Sequence, residues 1–117
     1  MMDFEYFYGD QPEFFTFYRT PKIFYMDKKY KSLSSDAKIL YGIMLDRMSL
    51  SAKNNWCDDD GKIYIYMTID SVEEMVGCAR QKAVALVKEL DDFGLIEKKR
   101  CGMCKPTKIY VMNIVGQ

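Results

Sequence analysis

Two glycines constrain this chain more than any other feature. Gly77 and Gly94 divide residues 68–114 into a short apolar-periodic segment, a longer one and a stretch rich in β-formers. Thr68 can cap the first segment through its hydroxyl, and Ile69, Val72, Met75 and Val76 supply an apolar face before Gly77 ends it. After the turn at Gly77 and Cys78 the spacing predicts a helix from about Arg80 to Phe93, with Ala83, Leu86, Val87 and Leu90 on its buried side. Gly94 stops that helix. Two strands are then predicted, over 95–100 and 108–114, joined by a loop in which Gly102 and Pro106 mark a hairpin. Short helix, glycine turn, longer helix and basic hairpin form the order of a winged helix-turn-helix. In that motif the second helix enters the major groove of DNA and the hairpin lies along neighbouring phosphates.

The segments before Thr68 complete the expected domain. Ala37, Leu40, Tyr41, Met44, Leu45 and Met48 recur at helical spacing, which predicts a first helix over 34–53. Ser34 or Ser35 can cap it, and Asp36 suits its positive end. Asn54, Asn55, Asp58 to Asp60 and Gly61 read as a polar loop, and residues 63–67 as a short strand. Residues 1–31 hold eleven of the sixteen Phe and Tyr residues, interrupted by Pro12 and Pro21. Such an arm has apolar surface to bury. Phe14, Phe15, Phe17 and Tyr18 can pack on the domain's own core, or part of the surface can meet a second copy, and a homodimer is expected. The expected fold is therefore α+β: one domain spanning 1–117, a three-helix core with a β-hairpin wing, preceded by an aromatic-rich arm.

Composition bears on compartment and partner. There is no secretory signal and no stretch of membrane-spanning length, so the four cysteines read as free thiols and the expected location is the cytoplasm. Net charge is zero, with 17 basic and 17 acidic residues, yet the charges are unevenly spread. Residues 78–108 carry eight basic residues against four acidic ones, and the remainder carries nine against thirteen. One basic surface on an otherwise acidic molecule would orient it in the field of a polyanion.

The inward set on the second helix of the motif sends Arg80, Gln81, Lys82, Val84, Ala85 and Lys88 outward. Arg and Lys can donate to guanine O6 and N7, Gln can pair with adenine, and Val or Ala can meet a thymine methyl. Arg80, Gln81, Lys82, Val84 and Ala85 are the expected base contacts. Thr68, Lys88, Lys98, Arg100, Lys105 and Lys108 are the expected phosphate contacts, which set affinity and register. The same fold also serves transcriptional regulators and protein-interaction modules, so fold alone does not decide among these functions.

Other chemistry has weaker support. Cys101 and Cys104 have the spacing of a zinc knuckle or redox dithiol, and Cys57 and Cys78 could complete four ligands. The chain has no histidine, and a single C-x-x-C in a hairpin loop is a weak signal, so no metal is expected. Asp58, Asp59 and Asp60 could hold a divalent cation for phosphoryl chemistry. Without a second acidic cluster or a catalytic lysine motif, they read as a solvated turn before Gly61. No enzyme activity and no cofactor are expected.

Several stretches carry a more specific signal. They are 14–22 (FFTFYRTPK), 33–42 (LSSDAKILYG), 46–51 (DRMSLS), 55–58 (NWCD), 81–83 (QKA) and 94–100 (GLIEKKR). From about Phe14 to Met112 the chain resembles the amino-terminal domain of the RepA_N-type replication initiators of Gram-positive plasmids. The resemblance implies sequence-specific binding to repeats in a plasmid replication origin, as a dimer, and recruitment of host replication proteins. It also implies a further carboxy-terminal domain, which would make this chain a fragment or a truncated relative. One departure from that pattern is Ala79, where relatives place a serine that caps the following helix; loss of such a cap costs about 1 kcal/mol.

Overall fold

In the computed structural model, which describes residues 3–9, 16–100, 102 and 106–114, the scaffold is helix α2 (Ser35–Lys53). Its start is set by Ser34, whose hydroxyl accepts the Ala37 N–H at 3.1 Å. The same serine is held from outside the helix, because Glu89 accepts its backbone N–H at 2.6 Å and its hydroxyl at 2.8 Å. Ala37, Leu40, Tyr41 and Met44 are buried, as the helical spacing requires.

Helices α3 (Ile69–Val76) and α4 (Arg80–Phe93) follow the predicted punctuation. Thr68 caps α3 by accepting the Ser71 N–H at 3.1 Å. Gly77 and Gly94 close the two helices at φ of +78° and +92°, backbone conformations that side chains with a Cβ adopt at a cost. Val72, Ala83, Leu86, Val87 and Leu90 join the α2 stripe in one apolar cluster.

The sheet contains strands β1 (Ile65–Tyr66), β2 (Ile96–Lys99) and β3 (Lys108–Val111), antiparallel throughout and ordered β1-β3-β2. Ile65 pairs with Ile109, Ile96 with Val111 and Lys99 with Lys108. All three strands are shorter than the β-formers suggest. The expected 63–67 contracts to two residues because β3 pairs with it only there. Beyond the β2–β3 ladder, one bond persists where Met112 N–H donates to the Leu95 carbonyl at 2.9 Å.

The amino-terminal aromatics depart from expectation. Phe17 and Tyr18, candidates for burial, are 65% and 56% exposed, while Phe14 and Phe15 lie outside the described residues. Burial falls instead on Phe24 and Tyr30, at 1% and 3% exposure. These sit on a short helix α1 (Ile23–Met26) and a 3-10 turn (Lys28–Tyr30), so residues 21–33 belong to the folded body and not to an extended arm. The reason is tertiary. Phe24 meets Tyr41 and Tyr30 edge-on at 5.0 Å, and Tyr30 stacks on Phe93 of α4 at 5.7 Å, a chain of rings joining the segment to two helices. The preceding backbone crosses α2 at Gly42, where a Cβ would stand 2.6 Å from the Arg19 carbonyl oxygen. Among the described residues no helix is long and apolar enough to cross a membrane.

Candidate nucleic-acid interface

The surface expected to meet DNA is organised by α4. Ala83, Leu86, Val87 and Leu90 are buried, and Arg80, Gln81, Lys82, Val84, Ala85 and Lys88 are all exposed, as their spacing predicts. Val84 keeps 46% of its surface exposed, an apolar branched side chain in the middle of a polar face. The helix starts without help from a side chain: Ala79 has the extended backbone of a cap residue and no oxygen to offer.

Four of the expected cations rest against carboxylates. Arg80 lies 2.9 Å from Asp70, Lys88 2.9 Å from Asp92 and Lys98 3.7 Å from Asp91, and Lys82 pairs with Asp36 at the head of α2. The hydrogen bond to Asp36, reinforced by the charge of that carboxylate, holds the Lys82 ammonium above its ordinary range; Asp92 does the same for Lys88. The eight side chains keep between 37% and 82% of their surface exposed, so solvent screens the pairs and each adds little to stability. The cations were evident in the sequence, but Asp36 and Asp70 were not, because their partners are distant or on another helix. No short-range spacing could have revealed them.

The wing splits the expected phosphate contacts between its two faces. Side chains alternate along a strand, so Lys98 and Arg100 share a side with Ile96, towards the helices. There Thr68, Ile69, Val87, Lys98, Arg100 and Thr107 line one cleft between the hairpin and the head of α3. The Thr68 hydroxyl also caps α3 and lies 3.0 Å from the Ser71 hydroxyl. Lys108 is on the opposite face, with its ammonium 4.4 Å from the centre of the Tyr64 ring. Lys105 lies outside the described residues.

The acidic turn and the cysteines have local structural explanations. Asp58 accepts the N–H groups of Lys62 and Asp60 at 2.9 and 3.0 Å and the Tyr110 hydroxyl at 3.0 Å, which ties the turn to β3. These bonds, led by that from Lys62, hold its carboxyl below the usual range. Cys57 is exposed, and Cys78 is half-buried against the apolar cluster. Cys101 and Cys104 lie outside the described residues, and among those described no three His, Cys, Asp or Glu side chains are placed to hold a metal ion.

The chain is similar to known proteins in sequence and in fold. The chain is 32% identical to the "41 kDa protein" of Lactobacillus helveticus, in a match covering 83% of this chain and 29% of that relative's length. A solved structure described as "Structure of Rep-DNA complex" matches with a TM-score of 0.77 and 38% identity, over 93% of this chain and 84% of that one. Another, described as "N-Terminal domain of DNA binding protein", has a TM-score of 0.77 and 37% identity, covering 95% and 85%. A third, "Structure of MDR initiator", has a TM-score of 0.73 and 36% identity, covering 93% and 86%. Residues 16–117 match the family described as Replication initiator protein A (RepA) N-terminus, and the chain belongs to that family.

Proposed function

We propose that this domain binds double-stranded DNA sequence-specifically at a plasmid replication origin, and so directs the start of replication there. The observation that carries this reading is the outward face of α4, where Arg80, Gln81, Lys82, Val84, Ala85 and Lys88 stand together beside a basic hairpin. The match to a protein solved as a Rep-DNA complex supports it. Base readout falls to Arg80, Gln81, Lys82, Val84 and Ala85. Thr68, Lys98 and Arg100, around the cleft under the wing, contact phosphates, together with Lys88, Lys105 and Lys108. In this reading the domain works in the cytoplasm and performs no chemical step. It binds origin repeats as a homodimer through its exposed amino-terminal aromatics and works alongside host replication proteins.

The division of labour is open to direct test with labelled duplexes, one from the origin of the parent replicon and one scrambled. Arg80→Ala is expected to weaken origin binding by roughly 5- to 150-fold, the range for one bidentate base contact, with a smaller effect on the scrambled duplex. Arg100→Ala is expected to weaken both alike and to reduce the salt dependence. Equal weakening on the two duplexes for Arg80→Ala would remove it from base readout.

A further inference from the structure

The cations expected from the sequence lie on α4 and the wing, but a separate basic cluster lies beside them. Lys28, Lys29 and Lys31 are exposed on the 3-10 turn that precedes α2. Between and beyond them, Tyr30 and Leu33 are buried at 3% exposure each, so the turn is pinned at two points to the core. Its backbone closes on itself: Tyr30 N–H donates to the Asp27 carbonyl at 3.2 Å and Lys31 N–H to the Lys28 carbonyl at 3.1 Å, while the Asp27 carboxylate accepts the Lys29 N–H at 3.0 Å. Among the described residues no carboxylate forms an ion pair with any of the three ammonium groups, in contrast to Arg80, Lys82, Lys88 and Lys98.

The position of the turn matters as much as its charge. One edge of α4 faces the wing, through Asp91 to Lys98 and through Val87 in the cleft. The other edge faces the turn and the head of α2, through Phe93 to Tyr30, Glu89 to Ser34 and Lys82 to Asp36. Ser32 lies across a shallow groove from Ala85 and Lys88. Gln81, Val84, Ala85 and Lys88 therefore lie between the two flanks. A helix seated in a major groove about 12 Å wide has a wall of phosphates on each side. The wing lies along one flank of α4, and a turn with three lysines that no described carboxylate holds lies along the other.

We propose that Lys28, Lys29 and Lys31 form a second phosphate-binding flank, gripping the backbone on the side of α4 away from the wing. This rests on the reading of α4 as the DNA-facing helix. Pre-ordering by Tyr30 and Leu33 lowers the entropic cost of engaging the lysines, and their charge adds affinity without sequence preference.

The test is a variant carrying Lys28→Gln, Lys29→Gln and Lys31→Gln, measured on origin and scrambled duplexes across a salt series, with its thermal melt compared with wild type. Both affinities are expected to fall by the same factor, leaving their ratio unchanged. The slope of log affinity against log salt is expected to shrink by about 0.9 for each phosphate no longer neutralised, so by about 2 to 3 in all. Phosphate-ethylation interference should disappear from one groove wall with this variant, and from the opposite wall with Lys98→Gln and Arg100→Gln. If the triple variant melts early, Lys28→Gln and Lys31→Gln singly are each expected to lower the slope by about 0.9. Unchanged affinity and slope, or a change in self-association with duplex binding intact, overturns the second flank while leaving the DNA reading in place. Failure of the wild type to bind any duplex overturns both.

Discussion

Tyr41 keeps 1% of its surface exposed and donates its hydroxyl to the Met112 carbonyl at 2.6 Å. Its place in the α2 stripe was readable from spacing, but its partner, 71 positions away in sequence, was not. Burial, with a smaller effect from Tyr30, pushes the phenol up to about 12 from its ordinary 10.0. The neutral form is thus favoured in the folded state. The corresponding stability is fully present below about pH 10 and is lost as pH rises towards about 12, because the unfolded chain ionises first. Tyr41→Phe is expected to flatten that alkaline loss and to cost about 1 kcal/mol at pH 7 through the missing hydrogen bond. Urea unfolding at pH 7 and pH 11 checks both outcomes. The aromatic residues show the converse, a burial that spacing does not reveal. Phe17 and Phe24 look alike in sequence, yet one is 65% exposed and the other 1%, because only Phe24 docks against Tyr41 and Tyr30.

Helices α3 and α4 were legible nearly to the residue, since their limits are set by Thr68, Gly77 and Gly94, which act within a turn of the chain. The strands were less so. A strand's length depends on where its partner runs, and β1 shrinks to Ile65 and Tyr66 because only Ile109 and Lys108 oppose it. Ala79 offers a test at this scale. It has the backbone of a helix cap, with φ of −75° and ψ of 164°, but makes no capping bond. Ala79→Ser is expected to add the missing acceptor for a first-turn N–H and stabilise the domain by about 1 kcal/mol, read as a higher urea midpoint with an unchanged slope. No gain would mean that α4 already satisfies its first turn in another way.

Across the whole molecule, a neutral total charge conceals an uneven distribution of charge. Basic residues gather on α4, the hairpin and the 3-10 turn, and acids such as Asp36, Asp70 and Asp91 pair with several of them. The cations of α4 and the hairpin were visible as a local excess over residues 78–108. The pairing of Arg80 and Lys82 was not, because it depends on how α3 and α2 pack against α4. The turn lysines were likewise hidden, since tertiary contacts such as the stacking of Tyr30 on Phe93 bring their turn against α4. The family was readable from stretches outside the helix-turn-helix, and residues 16–117 match it. DNA recognition can be tested most directly by a nuclease footprint of this domain on the origin of the parent replicon, with scrambled duplex as competitor. The expected result is protection of repeated sites that survives excess competitor; uniform protection, or protection abolished by equal competitor, would contradict sequence-specific origin binding.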